Sequence, residues 1–79
     1  MKNTIVIALN GWCFIGKQKP HSAPGDITLT DASVIRVWGT TKGIGEIALN
    51  GVLPNTILDP CGEVNIPLGS QVAALKCNW

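Results

Sequence analysis

Thr4-Ile5-Val6-Ile7-Ala8-Leu9-Asn10-Gly11-Trp12-Cys13-Phe14-Ile15-Gly16 is the stretch that decides how this chain folds. Its first half is apolar and β-branched, and such side chains sit better on a pleated surface than on a helix. Asn10-Gly11 then interrupts the run, and both residues tolerate the positive φ that a tight hairpin turn demands. The stretch predicts two antiparallel strands joined by a two-residue turn. Leu9 would then pair with Trp12, Ile7 with Phe14 and Ile5 with Gly16. One face carries Ile5, Ile7, Leu9, Trp12 and Phe14, and the other carries Val6, Ala8, Cys13 and Ile15. Both faces are apolar, which places the hairpin inside a barrel or sandwich, or at a subunit contact.

The rest of the chain reads in the same way. Ile27 to Thr30 alternates as a short strand, Asp31-Ala32-Ser33 turns the chain, and Val34 to Trp38 is a further strand. Glu46 to Leu49 fits either a short strand or one helical turn, and Asn50-Gly51 turns the chain again. Thr56-Ile57-Leu58 runs into Asp59-Pro60-Cys61-Gly62, which has the proline and glycine placement of a type I turn. Val64 to Ile66 returns as its partner, and Gln71 to Cys77 closes the chain. Nine glycines and five prolines interrupt the sequence, and no segment keeps apolar residues at helical spacing over three turns. The expected fold is all-β: a small barrel or sandwich of about six or seven short antiparallel strands, in one domain over 1–79.

Charge narrows the function classes. Charged residues make up 14% of the chain, against about 25% in ordinary soluble domains. The apolar fraction of 46% is ordinary, so the charges are missing from the surface. A second copy of the chain covering part of that surface accounts for the deficit, and a homo-oligomer is expected. Net charge is +1, with Arg36 the single arginine and the lysines scattered. A protein held by phosphate contacts clusters its basic residues, so nucleic acid is not the expected partner. Lys2 before Ile5-Val6-Ile7-Ala8-Leu9 imitates a signal peptide, but the apolar run stops at Asn10-Gly11. No stretch approaches membrane-spanning length, and the expected location is the cytoplasm.

Cys13, Cys61 and Cys77 are odd in number and lack paired spacing, so they make a poor disulfide framework. With His21, the single histidine, they could in principle form a zinc site, but metal ligands usually come in close pairs. They read as small buried hydrophobes, and no metal or cofactor is expected. Recognisable catalytic arrangements are absent, and no enzyme is expected. Gly43-Ile44-Gly45-Glu46-Ile47-Ala48 matches the dinucleotide fingerprint G-x-G-x-x-A. That fingerprint works only with a crossover helix between parallel strands, and Asn50-Gly51 ends the segment too soon.

The looser cluster from Trp38 to Glu46 is the candidate site. Gly39, Gly43 and Gly45 let backbone N–H groups line a concavity. Thr40 and Thr41 add hydroxyls, Lys42 a positive charge and Glu46 an acid. Trp38, with Arg36 on the same strand face, offers a stacking platform. Arg36, Trp38, Thr40, Thr41, Lys42, Gly43, Gly45 and Glu46 are the expected ligand-binding residues. The alternative is an ordinary glycine-rich connection with Trp38 in the core.

Val34-Ile35-Arg36-Val37-Trp38-Gly39-Thr40-Thr41-Lys42-Gly43-Ile44-Gly45-Glu46-Ile47-Ala48, followed by Thr56-Ile57-Leu58-Asp59-Pro60-Cys61-Gly62-Glu63-Val64, resembles a group of short proteins encoded by phages and prophages. The Gly11-Trp12 hairpin fits the same pattern. The resemblance carries no residue roles. It implies a phage protein acting on host defence, by sequestering a nucleotide signal or by blocking a partner. The expectation is therefore a non-enzymatic binder of a nucleotide-like small molecule. The alternative is a protein-interaction module, either an inhibitor of a host complex or a virion component.

Overall fold

Hydrogen-bonded pairing of the apolar runs produces one five-stranded antiparallel sheet. The computed structural model describes residues 2–19, 25–40 and 43–79. The strands are β1 (Asn3–Ala8), β2 (Cys13–Gln18), β3 (Ile27–Val37), β4 (Ile57–Ile66) and β5 (Gln71–Lys76), and their spatial order is β4-β3-β2-β1-β5. A six-residue helix, α1 (Gly45–Asn50), sits between β3 and β4. The chain is mainly β, as its composition indicates. No helix among the described residues is long and apolar enough to cross a membrane. The sheet is open, with β4 and β5 as its edges.

The first hairpin forms, but one residue out of the expected register. Ile7 pairs with Cys13, Val6 with Phe14, Ile5 with Ile15 and Thr4 with Gly16. The connection holds three residues, Leu9–Gly11, closed by the Ala8 N–H donating to the Trp12 carbonyl at 2.7 Å. Asn10 (φ 63°) and Gly11 (φ 79°) do adopt positive φ, as expected. A one-residue slip exchanges the partners across a strand pair. Ile5, Ile7, Cys13 and Ile15 therefore share one core cluster, while Val6, Ala8 and Phe14 join the other. Leu9 and Trp12 leave the expected core face and are exposed.

Two expected turns are not turns. Asp31-Ala32-Ser33 lies inside the eleven-residue β3, and Asp59-Pro60-Cys61-Gly62 lies inside the ten-residue β4. The two segments pair with each other, Ala32 opposite Gly62 and Ser33 opposite Pro60. Each carries an extra residue relative to its partner. Between Leu29 and Ala32 β3 has two residues where β4 has one, and between Gly62 and Pro60 β4 has Cys61 unmatched. Asp31 takes φ 49° and Gly62 φ 78°, the backbone of bulges. Pro60 is tolerated because β4 is an edge strand and needs no outward donor. Merging these pieces reduces the expected strand number to five among the described residues.

The bulges change which face a residue serves. Within a regular strand Leu29 and Ile35 would point the same way. Here Leu29 packs in the cluster with Val6, Ala8, Ile27, Ala32 and Ile66, whereas Ile35 packs with Ile5, Cys13, Ile15 and Ile47. In β4, Leu58 and Val64 divide likewise. Gly16 makes the crowding possible: a Cβ there would lie 2.9 Å from the Thr30 carbonyl and 3.0 Å from the Ala32 Cα.

Helix α1 covers the first cluster with Ile47 and Ala48. Its last carbonyls need partners once the helix stops. The Gly51 N–H and the Trp79 indole both donate to the Ile47 carbonyl, at 2.9 and 2.8 Å, and the Asn78 N–H donates to that of Ala48 at 2.9 Å.

Candidate functional site

The expected loop from Trp38 to Glu46 is only partly a coherent unit. Thr41 and Lys42, like His21, lie outside the described residues. The strand register shifts between Ile35 and Val37, leaving Arg36 unmatched in the ladder. Arg36 and Trp38 then engage different partners. The Arg36 Nε donates to Asp59 Oδ2 at 2.8 Å, in an exposed pair. Burial pushes the Cys13 thiol above its ordinary value, and the Trp38 side chain opposes this in part. Asp59, expected to serve a turn, serves this ion pair.

Other parts of the stretch are packed. The Thr56 hydroxyl donates to the Trp38 carbonyl at 2.6 Å and accepts from the Leu53 N–H at 3.2 Å. A Cβ on Gly39 would lie 2.3 Å from the carbonyl carbon of Asn55, so Gly39 is there to let two backbones touch. Thr40 is half-buried. Gly43 has open space around it and φ 85°, Gly45 is also open, and both lead into α1. The half-buried Glu46 opens that helix, its N–H bonded to the Gly43 carbonyl at 3.1 Å.

A cavity of about 430 Å³ lies elsewhere, between the first hairpin and the end of β4. It is an open groove. Ala8, Leu9, Asn10, Trp12 and Phe14 form one wall, and Val64 to Pro67 with Ser70 form the other. The β2 strand sets its central feature. Trp12 and Phe14 are two residues apart and stack at 6.1 Å between ring centroids with 8° between planes. Phe14 is anchored against the second core cluster, while Trp12 stands 54% exposed. One face of the pair is thus fixed and one is accessible.

The polar groups on the groove are neutral. Asn65 accepts from the Thr28 hydroxyl at 2.9 Å and donates toward Asp26 at 3.5 Å, which fixes its carboxamide. Asn10 and Ser70 present an amide and a hydroxyl whose side chains have no partner among the described residues. Among the described residues none that lines the groove is acidic, basic or histidine. The described residues among those expected at the site do not line this groove, and no local motif announced it. Its only sequence signal is an aromatic pair placed beside a turn, joined by folding to residues some fifty positions later.

Cys13 and Cys77 are buried and free, as expected of small hydrophobes, but Cys61 is exposed on β4. Burial raises the Cys77 thiol too. Among the described residues no cluster of histidine, cysteine or carboxylates could hold a metal ion. No protein-family model matches the chain, and no curated protein matches it.

Proposed function

We propose that this chain is a non-enzymatic binding protein that takes a flat, uncharged ring into the groove between the Trp12 hairpin and the end of β4. The observation that carries the reading is the stacked Trp12–Phe14 pair, rigid on one side and open on the other. Ligand sites of this size join apolar walls to a few directional polar groups. Asn10, Asn65 and Ser70 are such groups, able to meet the donors and acceptors on the edge of a nucleobase or related heterocycle. Stacking on an aromatic side chain is worth about 1–3 kcal/mol per base, enough to hold such a ring without charge. A groove whose described lining carries no titratable side chain suits binding rather than proton transfer.

With the resemblance to phage proteins, the proposal extends to sequestration of a nucleobase-bearing host defence signal in the cytoplasm. The phosphates of such a ligand would lie outside the groove, toward solvent.

The test is a panel of nucleosides, mononucleotides and cyclic nucleotides, read by thermal shift and by calorimetric titration. A binder raises melting temperature by mass action. Trp12→Ala should weaken its affinity about 5- to 150-fold, the equivalent of the stacking energy above. Because Trp12 is exposed, the variant should melt near the parent. The proposal fails if no compound in the panel binds, or if a compound binds equally well to Trp12→Ala.

A further inference from the structure

We propose that the outer edge of β5 is a self-association surface, on which two copies of the chain pair their β5 strands antiparallel and join their sheets. β5 bonds to β1 on one side, and no described strand lies on the other. The Cys77 N–H points inward, donating to the Asn3 carbonyl at 2.9 Å. Directions alternate along a strand, so the N–H and C=O of Ala74 and Lys76 point outward. Such groups are a template for another strand unless the edge is guarded.

The two edges of the sheet differ in this respect. β4 carries Pro60, the bulge at Cys61 and Gly62, and the charges of Asp59 and Glu63, all devices that repel an added strand. Over Val72-Ala73-Ala74-Leu75, β5 has no proline, glycine or charge, and Val72, Ala73 and Ala74 are exposed. Its only irregularity is at the start, where Ala8 pairs with Gln71 and Ile7 with Ala73.

The occupant is a second copy for reasons of symmetry and charge. An antiparallel strand pair is its own two-fold partner, so β5 on β5 closes a dimer. Joining β5 to β4 of the next copy would build an open fibre, and the guarded β4 edge prevents it. Centring the pair on Ala74 sets it against the partner's Ala74, with a small side chain at the axis. Lys76 then faces the partner's Val72, so the two lysines do not oppose each other. The low charge of the chain fits a surface meant to be covered.

Sedimentation velocity between about 1 and 100 μM should show a species of twice the 8.3 kDa chain mass growing with concentration. Ala74→Pro removes an outward N–H without touching the β1 ladder and should leave a folded monomer. Ala74→Val, which favours strand, should keep the dimer. Amide exchange on the unmodified chain gives a readout that needs no variant: Ala74 and Lys76 should gain protection as concentration rises. A chain that stays monomeric overturns the proposal. So does a dimer that persists in a folded Ala74→Pro variant, or one that forms without protecting these two amides. Pairing of β5 only with a different protein would appear as the first of these outcomes.

Discussion

Gly39→Ala and Gly43→Ala ask whether the glycine-rich segment is built for packing or for open backbone. Both glycines have positive φ, 64° and 85°. Alanine in that region costs roughly 1–2 kcal/mol at either site. The surroundings then separate them. At Gly43 a Cβ meets nothing within 4 Å, so that cost is the whole effect. At Gly39 it would lie 2.3 Å from the Asn55 carbonyl carbon, 2.4 Å from its oxygen and 2.6 Å from the Thr56 nitrogen. Backbone cannot swing aside as a side chain can, and overpacking of this kind adds about 1–3 kcal/mol. Gly39→Ala should therefore lose about 2–5 kcal/mol and Gly43→Ala about 1–2 kcal/mol. For a chain of this size these losses lower the melting temperature by about 8–40 °C and 4–16 °C respectively. Urea unfolding should confirm the order with an unchanged slope, which shows that the unfolded state is not what moved. Equal losses at the two sites would refute the contact between Gly39 and the Asn55–Thr56 backbone.

Gly11→Val should cost about 1 kcal/mol or more by calorimetry, since a β-branched residue resists φ 79° even with space around it. Ile47→Ala should cost about 2–5 kcal/mol in urea unfolding, because Ile47 is fully buried where α1 meets the sheet. Arg36→Ala should change stability by less than about 1 kcal/mol, since its ion pair with Asp59 is solvent-exposed. Thiol titration of the native chain should find one fast cysteine, Cys61, and unfolding should release the other two. The folded Cys13 and Cys77 thiols titrate above the ordinary 9.0 of the unfolded chain. Their contribution to stability is complete below pH 9.0 and is lost as pH rises from there through the folded values, which alkaline denaturation would show.

The β-branched runs and the positive φ of Asn10 and Gly11 were legible because they are local properties of residue and backbone. The hairpin register was not, since Asn10-Gly11 serves a two-residue or a three-residue connection equally well. What separates the two is the pairing of β1 with β5 on its other side. Asp59-Pro60-Cys61-Gly62 misleads for a related reason. Proline without a required donor and glycine at positive φ suit a turn, and they suit a bulge on an edge strand too. Only the partner strand, with its own irregularity at Asp31, decides between them. The groove was invisible because its walls come from distant segments. Alternation along the strand sets Trp12 and Phe14 side by side on one apolar face, but it does not tell that Trp12 stands in solvent.

The matched bulges of β3 and β4 act as a shared crease in the ribbon. Leu29 and Ile35 are six residues apart, as are Leu58 and Val64, and the extra residue in each strand is what sets each pair on opposite faces. Removing Asp31 or Cys61 leaves a separation of five, which a regular strand also sets on opposite faces, so both cores keep their residues. What such a deletion takes away is the bend and the added twist that a bulge gives its strand. Losing either residue should therefore flatten the ribbon and cost less than deleting Leu29, which empties a fully buried position of the same strand.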